Sequence, residues 1–405
     1  MDTITHGIAG ALIGKGYFSD RQGRVATFAA ALGAVFPDCD VVAELFSRDP
    51  LAVVKYHRGI THSFVGLPFF AAGLAWLTRV VARRLRIESP SWSMLTLIYA
   101  ISLASHILLD GLTSFGTRMW TPISQQRVAW DWLFIIDFTF TAILLTPQIS
   151  AWVCGDRDKA LRRGVWMWIV FSAGAAVVWE LARTIGFPFR PWIIALSSGI
   201  FAILFLVPAR SDWGYRIRRA TWCRAGVYVT LAYVAACGMA HYSALRRVKG
   251  FASNNDVTIK RIAALPMPPS LLDWGGAIRT TSGVYQSRFD LRDANAPAFR
   301  FSGDSPPNEY TVRAMQLPEV RLYWTFVRFP VIRTSSEDGL HIVDFLENRF
   351  ITRRKNEIPP FSYRVAFDDG ANVVEEGWEQ NGEWLRRTEK MAPPRESDPS
   401  PRKQQ

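Results

Sequence analysis

The sequence contains few cysteines, and their spacing excludes the common cysteine-based sites. Four occur among 405 residues, at positions 39, 154, 223 and 237. No two form a C-x-x-C pair, so the sequence carries neither a disulfide framework nor a zinc-ribbon or thioredoxin-like motif. Cys39 lies between two aspartates, and we expect it to be a small buried side chain rather than a metal ligand.

Charged residues are sparse between positions 64 and 244, where long apolar runs dominate. Spanning the hydrocarbon core of a bilayer takes about 20 apolar residues. Six stretches reach or approach that length, namely 64–82, 93–109, 132–149, 165–181, 192–207 and 223–244. The sequence therefore predicts a polytopic α-helical membrane domain, with the lipid bilayer as its surroundings.

The N-terminus lacks the basic segment and apolar core of a cleavable signal peptide. Two shorter apolar segments, 8–18 and 25–36, come first and are rich in glycine and alanine. Residues 19–24 read as a turn between them. Because small residues allow close backbone approach, we expect a tightly packed helical hairpin. Such a hairpin brings His6 and Asp38 to the same end.

Membrane topology explains the net charge of +12 at pH 7 better than nucleic-acid binding does. Basic residues cluster in three loops on one side of the predicted helices, at 79–86, 157–163 and 210–224. The positive-inside rule assigns that side to the cytoplasm. The histidine-containing loops and everything after residue 244 then lie outside the cytoplasm. Arg58, Arg118 and Arg127 lie in these outer loops and run against the rule.

The composition of the chain changes after residue 249, from long apolar runs to mixed polar residues with scattered aromatics. Partly alternating segments predict strands, and an aromatic-rich segment at 319–329 predicts a helix. We therefore expect a small α+β soluble domain after the helical membrane domain. His341 and Asp344 lie three apart in a predicted strand and so face opposite sides, which argues against a metal site made by this pair. The predicted divisions are a hairpin with a metal-site loop at 1–62, a bundle of about six long helices at 63–246, the α+β domain at 250–391 and a disordered tail at 392–405.

Histidine is also rare, yet four of the six histidines fall in the first 110 residues, in motifs with hydroxyls and carboxylates. Histidine and carboxylate are typical ligands of catalytic divalent metals. His106 and Asp110 are four apart on a predicted helix and share one face. The predicted helices place all these motifs at one end, so we expect a metal site at a membrane face. The motifs are Thr5-His6-Gly7, Pro37-Asp38-Cys39-Asp40, His57-Arg58-Gly59-Ile60-Thr61-His62-Ser63 and Ser105-His106-Ile107-Leu108-Leu109-Asp110.

Each motif alone also has an ordinary explanation. A histidine at a helix end is commonly a hydrogen-bonded structural residue, and a Pro-Asp-x-Asp segment is commonly a solvated turn. Arg58 can extend to lipid headgroups or hold a phosphate. Together, four histidines and three aspartates exceed what one tetrahedral ion needs. They can serve two metals that share a water, or some can orient the imidazoles that bind one metal.

Together these motifs resemble the YdjM family of bacterial inner-membrane, metal-dependent hydrolases. The H-R-G-x-T-H-S string is the most specific element, and the resemblance is good over residues 1–150. The C-terminal part resembles the extra domain of longer members. Through its distant similarity to zinc-dependent phospholipase C and related nucleases, the family implies the following metal-site candidates, with Asp40 beside them: His6, Asp38, His57, His62, His106 and Asp110.

The resemblance implies a multi-pass protein of the bacterial inner membrane that hydrolyses a phosphoester or lipid-linked substrate. A divalent metal, with zinc expected and manganese or magnesium as alternatives, would activate a water. Asp38 or Asp110 would serve as ligand or general base, and Arg58 would clamp an anionic group. We expect no nucleic-acid partner and an extracytoplasmic C-terminal domain.

Two other classes of function stay open from the sequence. The first is a transporter or a metal-sensing membrane protein, although ion pathways need ionisable groups near mid-membrane and these groups lie at helix ends. The second is a membrane-anchored binding protein whose C-terminal domain carries the function.

Overall fold

The computed structural model describes residues 1–42, 49, 51–184, 190–268, 270–349, 358–380 and 383–388. The N-terminal part is helical and the C-terminal part carries two antiparallel sheets, so the predicted fold class is confirmed. The tail predicted to be disordered, 392–405, lies outside the described residues. The predicted division into domains stays a prediction.

A helix lies in each of the six predicted apolar stretches, although the stretch 64–82 is helical only from Leu67 and the stretch 132–149 only from Phe138. Short 3-10 turns at Phe36–Asp40 and Ile60–His62 carry two of the histidine and aspartate motifs, and a π-helical turn, Gly14–Phe18, follows the first helix. The helices are α1 (Thr3–Ile13), α2 (Ser19–Val35), α3 (Ala52–Lys55), α4 (Leu67–Arg84), α5 (Trp92–Gly111), α6 (Phe138–Val153), α7 (Arg157–Thr184), α8 (Trp192–Arg210), α9 (Asp212–Arg216) and α10 (Arg219–Asn254).

Four helices among the described residues are long and apolar enough to cross a membrane, and they are α5, α7, α8 and α10. Helix α6 is apolar but has 16 residues. The chain buries 6% of the apolar window of α7 but 39% of that of α5. Helix α7 therefore presents its apolar surface outward, as a lipid-facing helix does, whereas α5 is central to the bundle.

Small residues set the distance between α1 and α2, as the sequence predicted. A Cβ atom built on Gly10 would lie 2.3 Å from the carbonyl oxygen of Ala30. The chain reverses through a kink at Gly23, whose φ of 73° favours glycine. The hairpin brings its two ends together, since the hydroxyl of Thr3 lies 2.6 Å from Asp38 Oδ2.

The C-terminal part contains two antiparallel sheets in which neighbouring strands follow one another along the chain. One sheet consists of β1 (Arg261–Pro266), β2 (Asp273–Arg279), β3 (Gly283–Asp290) and β4 (Arg300–Gly303). The other consists of β5 (Pro330–Glu337), β6 (Leu340–Glu347), β7 (Tyr363–Phe367), β8 (Val373–Gln380) and β9 (Glu383–Thr388). Helices α11 (Glu309–Ala314) and α12 (Pro318–Trp324) lie between them in sequence.

The helix predicted at 319–329 ends earlier than its apolar pattern suggests. Helix α12 stops at Trp324, and the carboxylate of Glu347 then accepts the backbone N–H groups of Arg328 and Phe329, at 2.7 and 3.1 Å. These bonds direct the chain into β5. A partner distant in sequence therefore decides this boundary.

The C-terminal domain packs on the segment that connects α5 to α6. The guanidinium of Arg328 makes two 2.7 Å bonds to the carboxylate of Asp131. Such bidentate pairs are geometrically specific. Nearby, Leu51, Val54 and Phe115 join one hydrophobic core with aromatic side chains of α12, β6 and β7. The domain thus lies next to the histidine and aspartate motifs.

We predict that Gly10→Ala lowers the thermal unfolding midpoint of the detergent-purified protein. The new methyl group meets a backbone carbonyl, and overpacking of this kind typically costs about 1–3 kcal/mol. The matched control is Gly73→Ala on α4, where a Cβ meets nothing within 4 Å. The control should be neutral or slightly stabilising, because alanine favours helix over glycine. Equal midpoints for the two variants would contradict the close packing.

Candidate metal centre

Three short segments supply the groups at the centre of the site. The 3-10 turn that extends α2 carries Asp38, and the turn Ile60–His62 carries His62. The last turns of α5 carry His106 and Asp110, which lie one helical turn apart on the same face. Residues far apart in sequence are thereby brought to one point at the end of the bundle.

Four ligand-type atoms converge, one from each of these residues, all within 4.8 Å of one another. The Nε2 atom of His62 lies 3.4 Å from Asp38 Oδ1 and 3.3 Å from Asp110 Oδ2. The Nε2 atom of His106 lies 3.5 Å from each of the same two oxygens. Tetrahedral zinc with bonds of about 2.0–2.1 Å places its ligand atoms about 3.3–3.4 Å apart. Four of the six distances within the group are therefore close to that spacing.

Three of these atoms are buried and make no hydrogen bond within the described chain: His62 Nε2, His106 Nε2 and Asp110 Oδ2. Buried polar atoms normally have partners, because an unsatisfied group costs about 1–3 kcal/mol. Three such atoms facing one point fit a cation as the missing partner. The residues present therefore fit a divalent metal.

Partners on the far side of each imidazole turn its Nε2 atom toward the centre. His106 Nδ1 lies 2.6 Å from the carbonyl oxygen of Ala34, an acceptor that requires the proton on Nδ1. His62 Nδ1 lies 3.0 Å from the hydroxyl of Thr61, which donates to Asp40 Oδ2, and 3.2 Å from that carboxylate oxygen. Contacts of this kind fix the tautomer and orientation of metal-binding histidines. Thr61 and Asp40 therefore orient His62.

The carboxylates and imidazoles control one another's protonation. Burial alone would raise the pKa of Asp38, but the imidazoles of His106 and His62 hold it well below its usual range. Burial would lower the pKa of His62, but Asp110, Asp38 and Asp40 raise it to about 10. The cluster thus has an excess of carboxylate charge that a proton on His62, or a metal ion, compensates.

Arg58 is buried against Asp110 rather than extended to lipid headgroups. Its side chain is 2% exposed, and Nη2 lies 2.9 Å from Asp110 Oδ1. Its backbone N–H donates to Asp40 Oδ2 at 3.0 Å. The residue has a φ of 58°, a strained conformation for a non-glycine residue that surrounding contacts must maintain. Arg58 therefore occupies one oxygen of Asp110 and leaves the other to face the centre.

The structure places the remaining predicted ligands beside the four-atom group. His6 Nε2 lies 3.2 Å from Asp110 Oδ1, and its ring stacks on His106 with 3.7 Å between centroids. His57 Nδ1 lies 2.9 Å from Asp40 Oδ1. Each histidine thus contacts a carboxylate of the site without supplying an atom to the group. Their roles as metal ligands stay predictions. The expectation that Cys39 is buried is wrong, since it is exposed at the outside of its 3-10 turn.

Several supporting residues were not identified from the sequence. The hydroxyl of Thr61 donates to Asp40 Oδ2 at 2.9 Å, and Thr3 donates to Asp38. Arg118 donates to the carbonyl oxygens of Lys55 and Arg58, at 3.0 and 3.3 Å, and so holds the loop that carries His57. The available signal was that Arg118 runs against the positive-inside rule.

Comparison with known proteins bears on the N-terminal part. Residues 1–187 match the family model described as YdjM inner membrane protein. This match confirms the resemblance inferred from the motifs and contains every candidate site residue. Together with the four apolar spans, it supports a membrane protein. No curated protein and no solved structure matched the chain.

We expect His62→Ala and His106→Ala each to remove bound metal from the detergent-purified protein, because each deletes one of four converging atoms. Elemental analysis of the wild type and both variants measures this. The control is His341→Ala, which removes an imidazole from β6 that pairs with Asp369 outside the site. Wild-type metal content in both site variants would exclude this centre.

Metal binding should also depend on pH. Because the pKa of His62 is raised to about 10, His62 carries a proton at neutral pH that an incoming ion must displace. The affinity should therefore rise about tenfold for each pH unit between about pH 6 and 8, with about one proton released. Calorimetry in two buffers of different ionisation enthalpy measures the release. An affinity that stays constant over this range would show that His62 is neutral before binding.

Proposed function

We propose that this chain, whose residues 1–187 match the YdjM inner membrane family, is a membrane-bound metal-dependent hydrolase. One observation carries the proposal. Three buried atoms that make no hydrogen bond, on His62, His106 and Asp110, converge with an oxygen of Asp38 at a spacing that suits the ligands of a metal ion. Burial at the end of a membrane bundle gives such a centre a dry, preorganised environment.

The donor set favours zinc over the alternatives. Magnesium and calcium prefer six or more oxygen ligands, whereas zinc accepts imidazole nitrogen and carboxylate oxygen in a four-coordinate site. Manganese is compatible with the same mixed donors. A divalent ion held by these residues would act as a Lewis acid and would lower the pKa of a bound water to about 7.

We assign different roles to the four residues from their exposure. The side chains of His62, His106 and Asp110 are fully buried, whereas that of Asp38 is 7% exposed. Catalytic zinc sites use three protein ligands and keep one position open. The three buried side chains would hold the ion, and Asp38 would accept the proton of the attacking water. The Thr3 hydroxyl holds Asp38 Oδ2, so that Oδ1 faces the centre.

The charges around the site support an anionic substrate. Arg118 and Arg127 lie in the loops beside the site and donate to backbone carbonyls there. A phosphoester is an anion that these side chains and a bound divalent ion would attract. The position at the end of the bundle favours a phosphoester linked to a lipid. Arg58 pairs with Asp110, so it acts on such a substrate through the field of the site rather than as a free clamp.

The basic loops support one orientation of the protein in the membrane. Their residues lie at the end of the bundle opposite to the metal centre, and the positive-inside rule assigns them to the cytoplasm. We therefore propose that the centre and the C-terminal domain face the extracytoplasmic side of the inner membrane.

A second candidate is a metal-binding membrane protein without hydrolase activity, such as a sensor. The observation that favours it is that Asp38 supplies a fourth ligand-type atom to the group. If Asp38 also binds the ion, the tetrahedral shell is closed, which is typical of structural zinc sites.

Asp38→Asn separates the two candidates. If Asp38 is the general base, the variant keeps its metal and loses about 10²- to 10⁴-fold in hydrolysis rate, because the amide accepts no proton. Metal content is measured by elemental analysis, and hydrolysis with phosphomonoester, phosphodiester and phospholipid substrates.

The matched control is Asp20→Asn, the same change at the other end of α2, where Asp20 pairs with exposed Arg218. It should keep both metal and activity. Loss of metal in Asp38→Asn would favour the closed site. Metal-loaded wild-type protein that hydrolyses none of the three substrate classes would contradict the hydrolase proposal.

A further inference from the structure

Five side chains form an alternating stack of arginines and aromatic rings that runs from the metal centre into the C-terminal domain. Arg58 lies 4.7 Å from the ring centroid of Phe115, and Arg127 lies 5.6 Å from the same centroid. Arg127 lies 5.3 Å from the centroid of Phe326, and Arg349 lies 4.7 Å from it. We call these five residues the arginine–aromatic stack.

The stack crosses from one domain to the other. Arg58, Phe115 and Arg127 belong to the loops of the helical part, whereas Phe326 and Arg349 belong to the C-terminal part. Arg349 Nη1 donates to the carbonyl oxygens of Ser114 and Phe115, at 2.9 and 3.2 Å, and Nη2 donates to that of Phe326 at 2.8 Å. Cation–π contacts and backbone hydrogen bonds therefore fix the same junction.

At the other end the stack reaches a proposed metal ligand. Arg58 Nη2 lies 2.9 Å from Asp110 Oδ1, and Nη1 donates to the hydroxyl of Thr113 at 3.3 Å. The Nη1 atoms of Arg58 and Arg127 both donate to the carbonyl oxygen of Gly116, each at 3.4 Å. Arg58 and Arg127 thus share one backbone acceptor and one aromatic ring.

This arrangement is electrostatically expensive for a simple packing contact. Burial, reinforced by the charges of Arg118, Arg58 and Arg349, holds the pKa of Arg127 well below its usual range. Its guanidinium donates to backbone carbonyls, those of Val54 and Gly116. Arg58 and Arg349 each pair with a carboxylate, that of Asp110 at 2.9 Å and that of Glu347 at 3.1 Å. The contacts of Arg127 are instead to backbone carbonyls and to the rings on either side of it. Arg127 therefore suits the role of a bridge between the two paired arginines.

We propose that the C-terminal domain positions the metal centre through this stack, with Arg127, Phe326 and Arg349 as positioning residues that hold Arg58 against Asp110. The left-handed backbone of Arg58 needs such support, because that conformation persists only when its surroundings maintain it. The inference rests on the proposed metal site and assigns the C-terminal domain a task within it.

The test uses full-length protein in detergent with two variants, Phe326→Leu and Arg127→Lys. Each removes one planar member of the stack and leaves every proposed ligand in place. Binding of Co²⁺, followed by its visible absorption, should weaken roughly three- to tenfold, with a changed band shape. The matched control is Arg364→Gln, which loses a bidentate pair with Asp344 in the same domain and should bind Co²⁺ like wild type.

A second measurement works without metal. Hydrogen exchange of the peptide covering residues 55–63 should be faster in both variants than in the control, because the loop of Arg58 loses support. Thermal unfolding shows which variants are folded, and if Phe326→Leu is not, Arg127→Lys carries the test.

Wild-type Co²⁺ affinity in a folded stack variant would overturn the positioning role. Failure of the wild type itself to bind Co²⁺ would instead contradict the metal site, and the exchange rates would then decide alone whether the C-terminal domain supports the loop. Unchanged hydrogen-exchange rates of residues 55–63 in folded variants would show that the stack only packs the two domains together, and would overturn the proposal.

Discussion

The site depends on how the two oxygens of Asp110 are divided. Oδ1 meets Arg58 and His6, whereas Oδ2 has no hydrogen-bond partner and faces His62 and His106. A carboxylate buried at the end of a membrane helix is costly unless cations surround it. Arg58 and the N-terminal amine of Met1 contact Oδ1, and a proton or a metal ion would be the partner of Oδ2. The loop around Arg58, the connection after α5 and the C-terminal domain all contribute to holding that one guanidinium.

The sequence was sufficient to predict the parts of the site that local patterns encode. Apolar length predicted the helices, the four-residue spacing of His106 and Asp110 predicted their shared face, and the small residues of the hairpin predicted that its ends meet. Local patterns alone did not distinguish Asp38 from Asp40, and only the family resemblance favoured Asp38. A 3-10 turn directs Asp38 to the centre and Asp40 to the back of His62. The contact of Arg127 with Phe326 could not be predicted from the sequence either, since no local pattern relates residues so far apart.

The three arginines that run against the positive-inside rule have specific partners. Arg58 pairs with Asp110, Arg118 holds carbonyl groups of the site loop, and Arg127 lies between two aromatic rings. Basic residues that are fixed inside the protein do not report topology in the way that free loop charges do. The exceptions are therefore compatible with the proposed orientation, and they were the sequence's best signal for the supporting residues of the site.

Because His106 Nδ1 donates a hydrogen bond to the carbonyl oxygen of Ala34, the length of α2 affects the tautomer of His106. Ala34 lies in the last turn of that helix, where carbonyl groups have no helical partner and are free to accept. Inserting or deleting one residue in α2 would rotate this carbonyl by about 100° and shift it by about 1.5 Å. The imidazole would then lose the acceptor that selects its tautomer. In this protein the residue count of a structural helix thus selects which nitrogen of a histidine carries the proton.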